Sequence, residues 1–140
     1  MADSVLTNPL DDRMKLYATS SLLRFRRSHL AIFRCGGYHP LHVMGPRRDH
    51  VFAFARTFDA SRVLVVVPRL LATLLPDADT RPFGERIWAD TSLEVPPDGP
   101  AAYRHVLTND RIDVRSEGDR AVVPVAGIFA RLPVAFLEPA

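Results

Sequence analysis

The sequence is short of the residues that several classes of site and scaffold require. It has one cysteine in 140 residues, so no disulfide can form within the chain, and we expect a reducing, cytoplasmic location. No apolar run approaches the ~20 residues of a membrane span, and we see no signal peptide at the N-terminus. The sequence also lacks a phosphate loop, a dinucleotide fingerprint and a Gly-x-Ser-x-Gly elbow. We therefore expect no membrane partner and no cofactor.

Positive charge is concentrated in the first half of the chain. Residues 1–70 carry 11 basic and 5 acidic side chains, a net charge of +6, whereas residues 71–140 carry 7 and 11, a net charge of −4. A basic, nucleic-acid-associated domain is one interpretation. Codon bias is the other, since 17 of the 18 basic residues are arginine. We favour codon bias; the candidate nucleic-acid contacts would be Arg24, Arg26, Arg27, Arg47 and Arg48.

The spacing of apolar residues changes at Gly36-Gly37. Residues 1–10 are interpreted as a leader, with Asp11 or Asp12 as an N-cap. Residues 11–35 contain no glycine or proline and predict a helix, with residues 29–35 as a short turn or an extra helical segment. Residues 36–140 contain short apolar segments at ~8–12-residue spacing, separated by turns, which is typical of an antiparallel β-sandwich or Greek-key sheet. The predicted fold class is α+β.

Residues 51–58 and 63–67 are the strongest strand candidates. They are apolar at successive positions, so both faces of both strands should be covered, and Asp59-Ala60-Ser61 predicts a hairpin between them. Residues 38–44 predict one earlier strand. Later strands are predicted at 87–89, 91–95, 103–107, 112–115, 120–125 and 133–137, with a helical turn at 127–131.

The predicted helix has two apolar stripes. At 100° per residue, Leu16 and Leu23 fall nearly opposite the larger stripe. A surface helix normally has one apolar stripe, so two stripes predict a helix between two layers. One layer would be the sheet; the other would be absent from this chain or supplied by self-association through the helix. The larger stripe consists of Met14, Tyr17, Ala18, Leu22 and Phe25.

The sequence predicts no metal site and no thiol nucleophile. His39 and His42 would point to opposite faces of a strand, and no acidic cluster completes a ligand set with His50. We interpret Cys35 as a buried or partly buried small side chain.

Two carboxylates and three aromatic side chains are candidates for sugar chemistry or sugar binding. Asp90 and Glu94 share a strand face, but we interpret them as solvated or turn-capping rather than as a glycosidase pair. Trp88, Tyr38 and Tyr103 are candidates for stacking on a sugar ring. For Trp88 we favour a core position in which the indole N–H has a partner.

Several segments in a fixed order carry a family resemblance. The segment Ile-Trp-Ala-Asp-Thr-Ser-Leu-Glu-Val-Pro at 87–96, with the segments at 106–109, 122–125 and 132–137, resembles the C-terminal region of maltooligosyl trehalose synthases, which belong to the α-amylase clan. Segments starting at Asp12, Leu23, Gly37, His50 and Val65 resemble family segments in the same order, so the match covers roughly residues 8–138. The chain departs from the pattern at Ser20-Ser21, where a Trp-Arg pair is expected, and at Leu30, where proline is expected.

The resemblance implies that residues 11–35 correspond to the last helix of a (β/α)8 barrel and residues 36–140 to an all-β C-terminal domain. The barrel with its aspartate nucleophile and glutamate acid/base is absent, so the resemblance assigns no catalytic residue and this chain alone is not expected to be an enzyme. It implies a noncatalytic domain that braces a barrel. The parent reaction of trehalose biosynthesis converts a reducing-end α-1,4 linkage of a maltooligosaccharide to an α,α-1,1 linkage. The alternatives are a freestanding α-glucan-binding module and the basic nucleic-acid-associated domain.

Overall fold

The computed structural model describes residues 12–77 and 79–140. Its first elements are two helices, α1 (Asp12–Ser28) and α2 (Leu30–Cys35). The helix predicted for residues 11–35 is thus present in two parts, and the break falls at His29. The predicted leader and the N-cap at Asp11 lie outside the described residues. Among the described residues, no helix is long and apolar enough to cross a bilayer.

Within the described residues, ten short strands follow the helices, with four helical turns between them. The strands are β1 (Gly37–Pro40), β2 (Val43–Met44), β3 (Val51–Phe58), β4 (Ser61–Pro68), β5 (Ser92–Val95), β6 (Ala102–His105), β7 (Arg111–Asp113), β8 (Arg115–Glu117), β9 (Arg120–Pro124) and β10 (Ala135–Pro139). The helical turns are a 3₁₀ turn (Arg48–His50), α3 (Leu71–Leu74), α4 (Glu85–Trp88) and α5 (Val125–Ile128).

The strands form two antiparallel sheets. Six strands pair in the order β1-β3-β4-β10-β6-β7, and four pair in the order β2-β5-β9-β8. The hairpin between β3 and β4 is confirmed, with Phe58 opposite Ser61 across a two-residue turn. A helix followed by antiparallel sheets confirms the α+β prediction.

The main core lies between the two sheets. Because side chains alternate along a strand, Ala53 of β3 and Val66 of β4 point to the inner face of the six-stranded sheet. There they belong to one buried cluster with Leu93 and Val123 of the four-stranded sheet. Burial of each such side chain stabilises the fold by roughly 1.5–3 kcal/mol.

The outer face of the six-stranded sheet carries the helices. Val63 and Val65 of β4 are buried on that face together with Phe25 of α1 and Ile32 of α2. The expectation that both faces of β3 and β4 are covered is therefore right for β4. It is wrong for β3, because the helices stop short of Phe52, which is exposed.

Two strand predictions are wrong for local reasons. The strand predicted at 38–44 is split between the two sheets: β1 ends at Pro40 and pairs with β3, whereas β2 pairs with β5. The strand predicted at 87–89 is the helical turn α4, which begins after Gly84, whose φ is +73°. The turn lets consecutive residues Ile87 and Trp88 both enter the core, which alternating strand geometry does not allow on one face.

One ionisable side chain lies in the core at the end of β6. His105 is almost fully buried, and its Nδ1 accepts a hydrogen bond from the Leu107 N–H at 3.2 Å. Burial lowers the pKa of His105 from 6.5 to about 4, and the nearby Asp110 carboxylate only partly opposes this. The folded chain therefore holds the ring neutral over a pH range in which the unfolded chain protonates it.

We expect the free energy of unfolding to decrease as the pH falls from 6.5 to about 4, because of His105. Above pH 6.5 neither state protonates the ring; between 6.5 and about 4 only the unfolded state takes up the proton. The loss should reach roughly 2 kcal/mol by about pH 5. Urea unfolding at several pH values measures it. His105→Gln should flatten this part of the profile, and exposed His42→Gln should leave it unchanged; equal slopes for all three proteins would contradict the assignment.

Candidate functional site

The inner side of the helix layer packs tightly on the β-sandwich. Met14, Tyr17 and Leu22 of α1 pack against the buried pair Leu107 and Leu132. The larger of the two apolar stripes therefore faces the sheet, as its width predicts.

Aromatic rings extend this contact toward α2. The ring of Phe25 lies 5.9 Å from that of Phe136 on β10 and 6.3 Å from that of Phe33 on α2, both edge-on. Edge-on ring pairs add about 0.5–1.5 kcal/mol beyond their buried area, so Phe25 fixes where the two helices meet the sheet.

Hydrogen bonds hold both helices to the sandwich. The Tyr17 hydroxyl donates to the Leu107 carbonyl at 2.9 Å. The Arg56 guanidinium donates to the Phe33 carbonyl at 2.9 Å and so satisfies a carbonyl near the end of α2. At Gly36 a Cβ would lie 2.2 Å from the Ile32 carbonyl oxygen and 2.7 Å from that of Thr57, so only glycine permits this close approach.

The opposite side of the helix layer carries a bare apolar stripe. Leu16 is 70% exposed, Leu23 58% and Leu30 41%. The three leucines are seven residues apart in sequence, and we call them the outer stripe. The two-stripe prediction holds for Leu16 and Leu23, since both are largely exposed on the side away from the sheet. Leu30 was missed because the break at His29 interrupts the pattern.

Exposed cations surround the outer stripe. Residues 13–35 contain six basic side chains and no acidic one. Arg62–Asp98 and Arg111–Asp113 are ion pairs within the β part of the chain. Five cations on the helices are exposed without an ion pair in the described part of the molecule: Lys15, Arg24, Arg26, Arg27 and Arg34.

A second exposed apolar patch lies on the same side of the molecule. Tyr38 is 47% exposed and Phe52 44%. Their rings lie 4.9 Å and 5.9 Å from the ring of Phe54, which packs against the buried cluster beneath the helices. We call Tyr38, Phe52 and Phe54 the aromatic patch; it continues the outer face of the sheet beyond the edge of the helix layer.

The three candidate sugar platforms occupy different environments. Trp88 is fully buried, and its indole N–H donates to the Pro82 carbonyl at 2.7 Å, which is the core position that the sequence favours. Tyr103 is also fully buried. Neither ring presents a face to a ligand in this structure, whereas Tyr38 does.

The histidines and the cysteine do not converge on a site in the described residues. His39 Nε2 lies 3.1 Å from Thr57 Oγ1, and His50 Nδ1 lies 3.3 Å from the Arg69 carbonyl. No group of three or more His, Cys, Asp or Glu side chains in residues 12–77 and 79–140 could hold a metal. Cys35 is exposed, so the expectation of a buried or partly buried thiol is wrong; its place near the end of α2 is on the solvent side.

An open groove of ≈ 590 Å³ lies at the end of the four-stranded sheet. Glu85, Asp90, Arg115 and Glu117 line it, but Glu94 does not. Asp90 lies in the turn after α4, whereas Glu94 lies within β5. The structure therefore does not bring Asp90 and Glu94 together as a pair facing one cavity.

Comparison with known proteins identifies what the chain is similar to. No protein-family profile matches it. The maltooligosyl trehalose synthases of two strains of Mycobacterium tuberculosis are each 37% identical to it over 123 residues, which is 88% of this chain. A mutant maltooligosyltrehalose synthase from Arthrobacter ramosus superposes on 99% of the chain with a TM-score of 0.68 and 25% identity.

The match covers a small part of each relative. The chain spans 13% of the length of the curated relatives and 16% of the Arthrobacter chain. The resemblance seen in the sequence is confirmed: nearly all of this chain is similar to one small portion of maltooligosyl trehalose synthases from bacteria.

Tyr17→Phe should loosen α1 from the sandwich. The substitution removes the hydroxyl that donates to the Leu107 carbonyl and leaves the ring contacts in place. We expect a loss of about 0.5–1.5 kcal/mol in the free energy of local opening. The substitution should raise the hydrogen-exchange rate of backbone amides in α1 more than in β4. Tyr38→Phe, which removes a hydroxyl from the exposed patch, is the matched control; equal effects of both substitutions would rule out a specific anchor.

Proposed function

We propose that this chain is a noncatalytic domain of a maltooligosyl trehalose synthase and that it braces the catalytic part of the enzyme. The helix layer lies between the sandwich and that second part, with its inner stripe on the sandwich and its outer stripe on the partner. The observation that carries the proposal is the outer stripe, three leucines 41–70% exposed on a helix layer whose other side is well packed.

The similarity to synthases supports the interpretation of the outer stripe as a contact surface. This chain matches only 13% of the length of its relatives, so its exposed apolar side chains can form a contact surface for the remainder of such an enzyme. Exposed leucines at seven-residue spacing along two consecutive helices form the kind of apolar surface that marks protein interfaces. The domain division follows from this: residues 11–35 form the bracing helix layer and residues 36–140 the β domain.

We infer that the chain alone does not catalyse the synthase reaction. The α-amylase-clan chemistry needs a carboxylate nucleophile and a separate acid on the two sides of one bond. The carboxylates considered for such a pair, Asp90 and Glu94, do not face one cavity. The exposed, unpaired Cys35 fits a reducing compartment, which supports a cytoplasmic location.

A freestanding α-glucan-binding module is the second candidate function. The aromatic patch supports it, because Tyr38 and Phe52 expose ring surface on one face of the sheet. Trp88 and Tyr103 do not support it, since both are buried. Titration with maltoheptaose tests this function: saturable binding that Tyr38→Ala abolishes would favour the module over the brace.

We expect this chain to bind a synthase that lacks the corresponding part. The probe is the M. tuberculosis synthase with its 123 matched residues deleted. Leu16→Glu combined with Leu23→Glu should weaken binding at least about 100-fold, because burial of each leucine is worth roughly 1.5–3 kcal/mol. Leu70→Glu is the matched control, since Leu70 is 55% exposed but lies outside the helix layer.

Calorimetry of the mixed proteins measures the binding, and circular dichroism checks that each variant folds. A purified chain that converts maltooligosaccharide to trehalose-capped product would refute the noncatalytic assignment. No binding to the deleted synthase, or binding that the two outer-stripe glutamates leave unchanged, would refute the bracing role.

A further inference from the structure

The outer stripe has a charged rim, and its partner must match that charge. Resting on the bracing role above, we propose that the partner surface has an apolar centre and a rim of carboxylates, and that a second copy of this chain is not the partner. The five exposed helix cations define the rim on this side.

The helix dipoles account for only three of these five cations. Arg26 and Arg27 lie in the last turn of α1, where positive charge favours the helix dipole. Lys15 lies in the first turn of the same helix, where positive charge opposes the dipole. Arg34 lies in the last turn of α2, where positive charge again favours the dipole, whereas Arg24 lies before the last turn of α1 and has no ion pair among the described residues. The positive charges of Lys15 and Arg24 are therefore matched neither by a helix dipole nor by a carboxylate within the described part of the chain.

Self-association through the helices would bring two identical cationic rims together. In a twofold dimer the same patch occupies both sides of the interface, so each copy would contribute the five exposed cations of its rim. Like charges placed opposite one another across an interface strongly disfavour association. The outer stripe offers only three leucines to offset that repulsion. We therefore expect an acidic partner in place of the self-association considered from the sequence.

The same arrangement of leucines and cations disfavours nucleic acid as the partner of this surface. Phosphate recognition needs cations and hydrogen-bond donors, and it gives no role to three leucines at the centre of the surface. The remaining arginines of the nucleic-acid interpretation, Arg47 and Arg48, lie in the loop between β2 and β3, where the Arg47 N–H donates to Thr91 Oγ1.

Neutralising two rim cations should weaken binding to the deleted M. tuberculosis synthase. Arg24→Gln combined with Arg27→Gln should do so between about twofold and about thirtyfold, since an exposed ion pair is worth roughly 0.2–1 kcal/mol. The loss should shrink at high salt, where exposed charges are screened. The matched control is Arg47→Gln with Arg48→Gln, which changes the net charge equally away from the helices and should leave binding unchanged.

Each other outcome decides between the two proposals. Binding that both arginine pairs weaken equally, or that salt does not affect, would overturn the acidic-rim inference and leave the bracing role standing. A dimer of this chain at low salt that Leu23→Glu dissociates would overturn the inference as well, as would salt-sensitive binding of duplex DNA that Arg24→Gln weakens. No binding to the deleted synthase at all would overturn the bracing role itself.

Discussion

The packing of Phe25 and its neighbours on the outer face of the six-stranded sheet is the contact on which the rest of the structure depends. It fixes the helix layer to Val65 and Phe136, with the Tyr17 and Arg56 hydrogen bonds at either end. Because the helices are held by one side only, their other side must face solvent or a partner. The exposure of Leu16, Leu23 and Leu30 is therefore a consequence of a well-packed inner side and not of a loose helix.

Two kinds of surface on the helix side follow from this arrangement. The outer stripe and its cations are carried by the helices, whereas the aromatic patch belongs to the part of the sheet that the helices leave bare. The chain is similar to only 13–16% of the length of each synthase, and exposed apolar surface is expected on one part of a larger protein. A domain within a longer chain can keep apolar surface at its boundary because the rest of that chain covers it.

Sequence reasoning succeeded where a pattern is set by local geometry and failed where tertiary packing decides. The helical period placed Leu16 and Leu23 opposite the inner stripe, and strong apolar runs identified β3 and β4. The split of residues 38–44 between two sheets was not predictable, because the pattern contains no signal of which sheet a strand joins. The same holds for Ile87 and Trp88, whose turn is imposed by Gly84, and for the exposure of Phe52 and Cys35, which depends on where the helix layer ends.

The most direct test asks whether position 23 is accessible in the isolated chain and protected by a partner. A Leu23→Cys variant in a Cys35→Ser background would be labelled with a maleimide, with Leu70→Cys in the same background as the reference for an exposed position. If the outer stripe is a partner surface, both thiols should react at similar rates in the isolated chain, and the deleted synthase should slow only the reaction at position 23. A thiol at position 23 that is already protected in the isolated chain would show that the outer stripe is covered without a partner and would contradict the account.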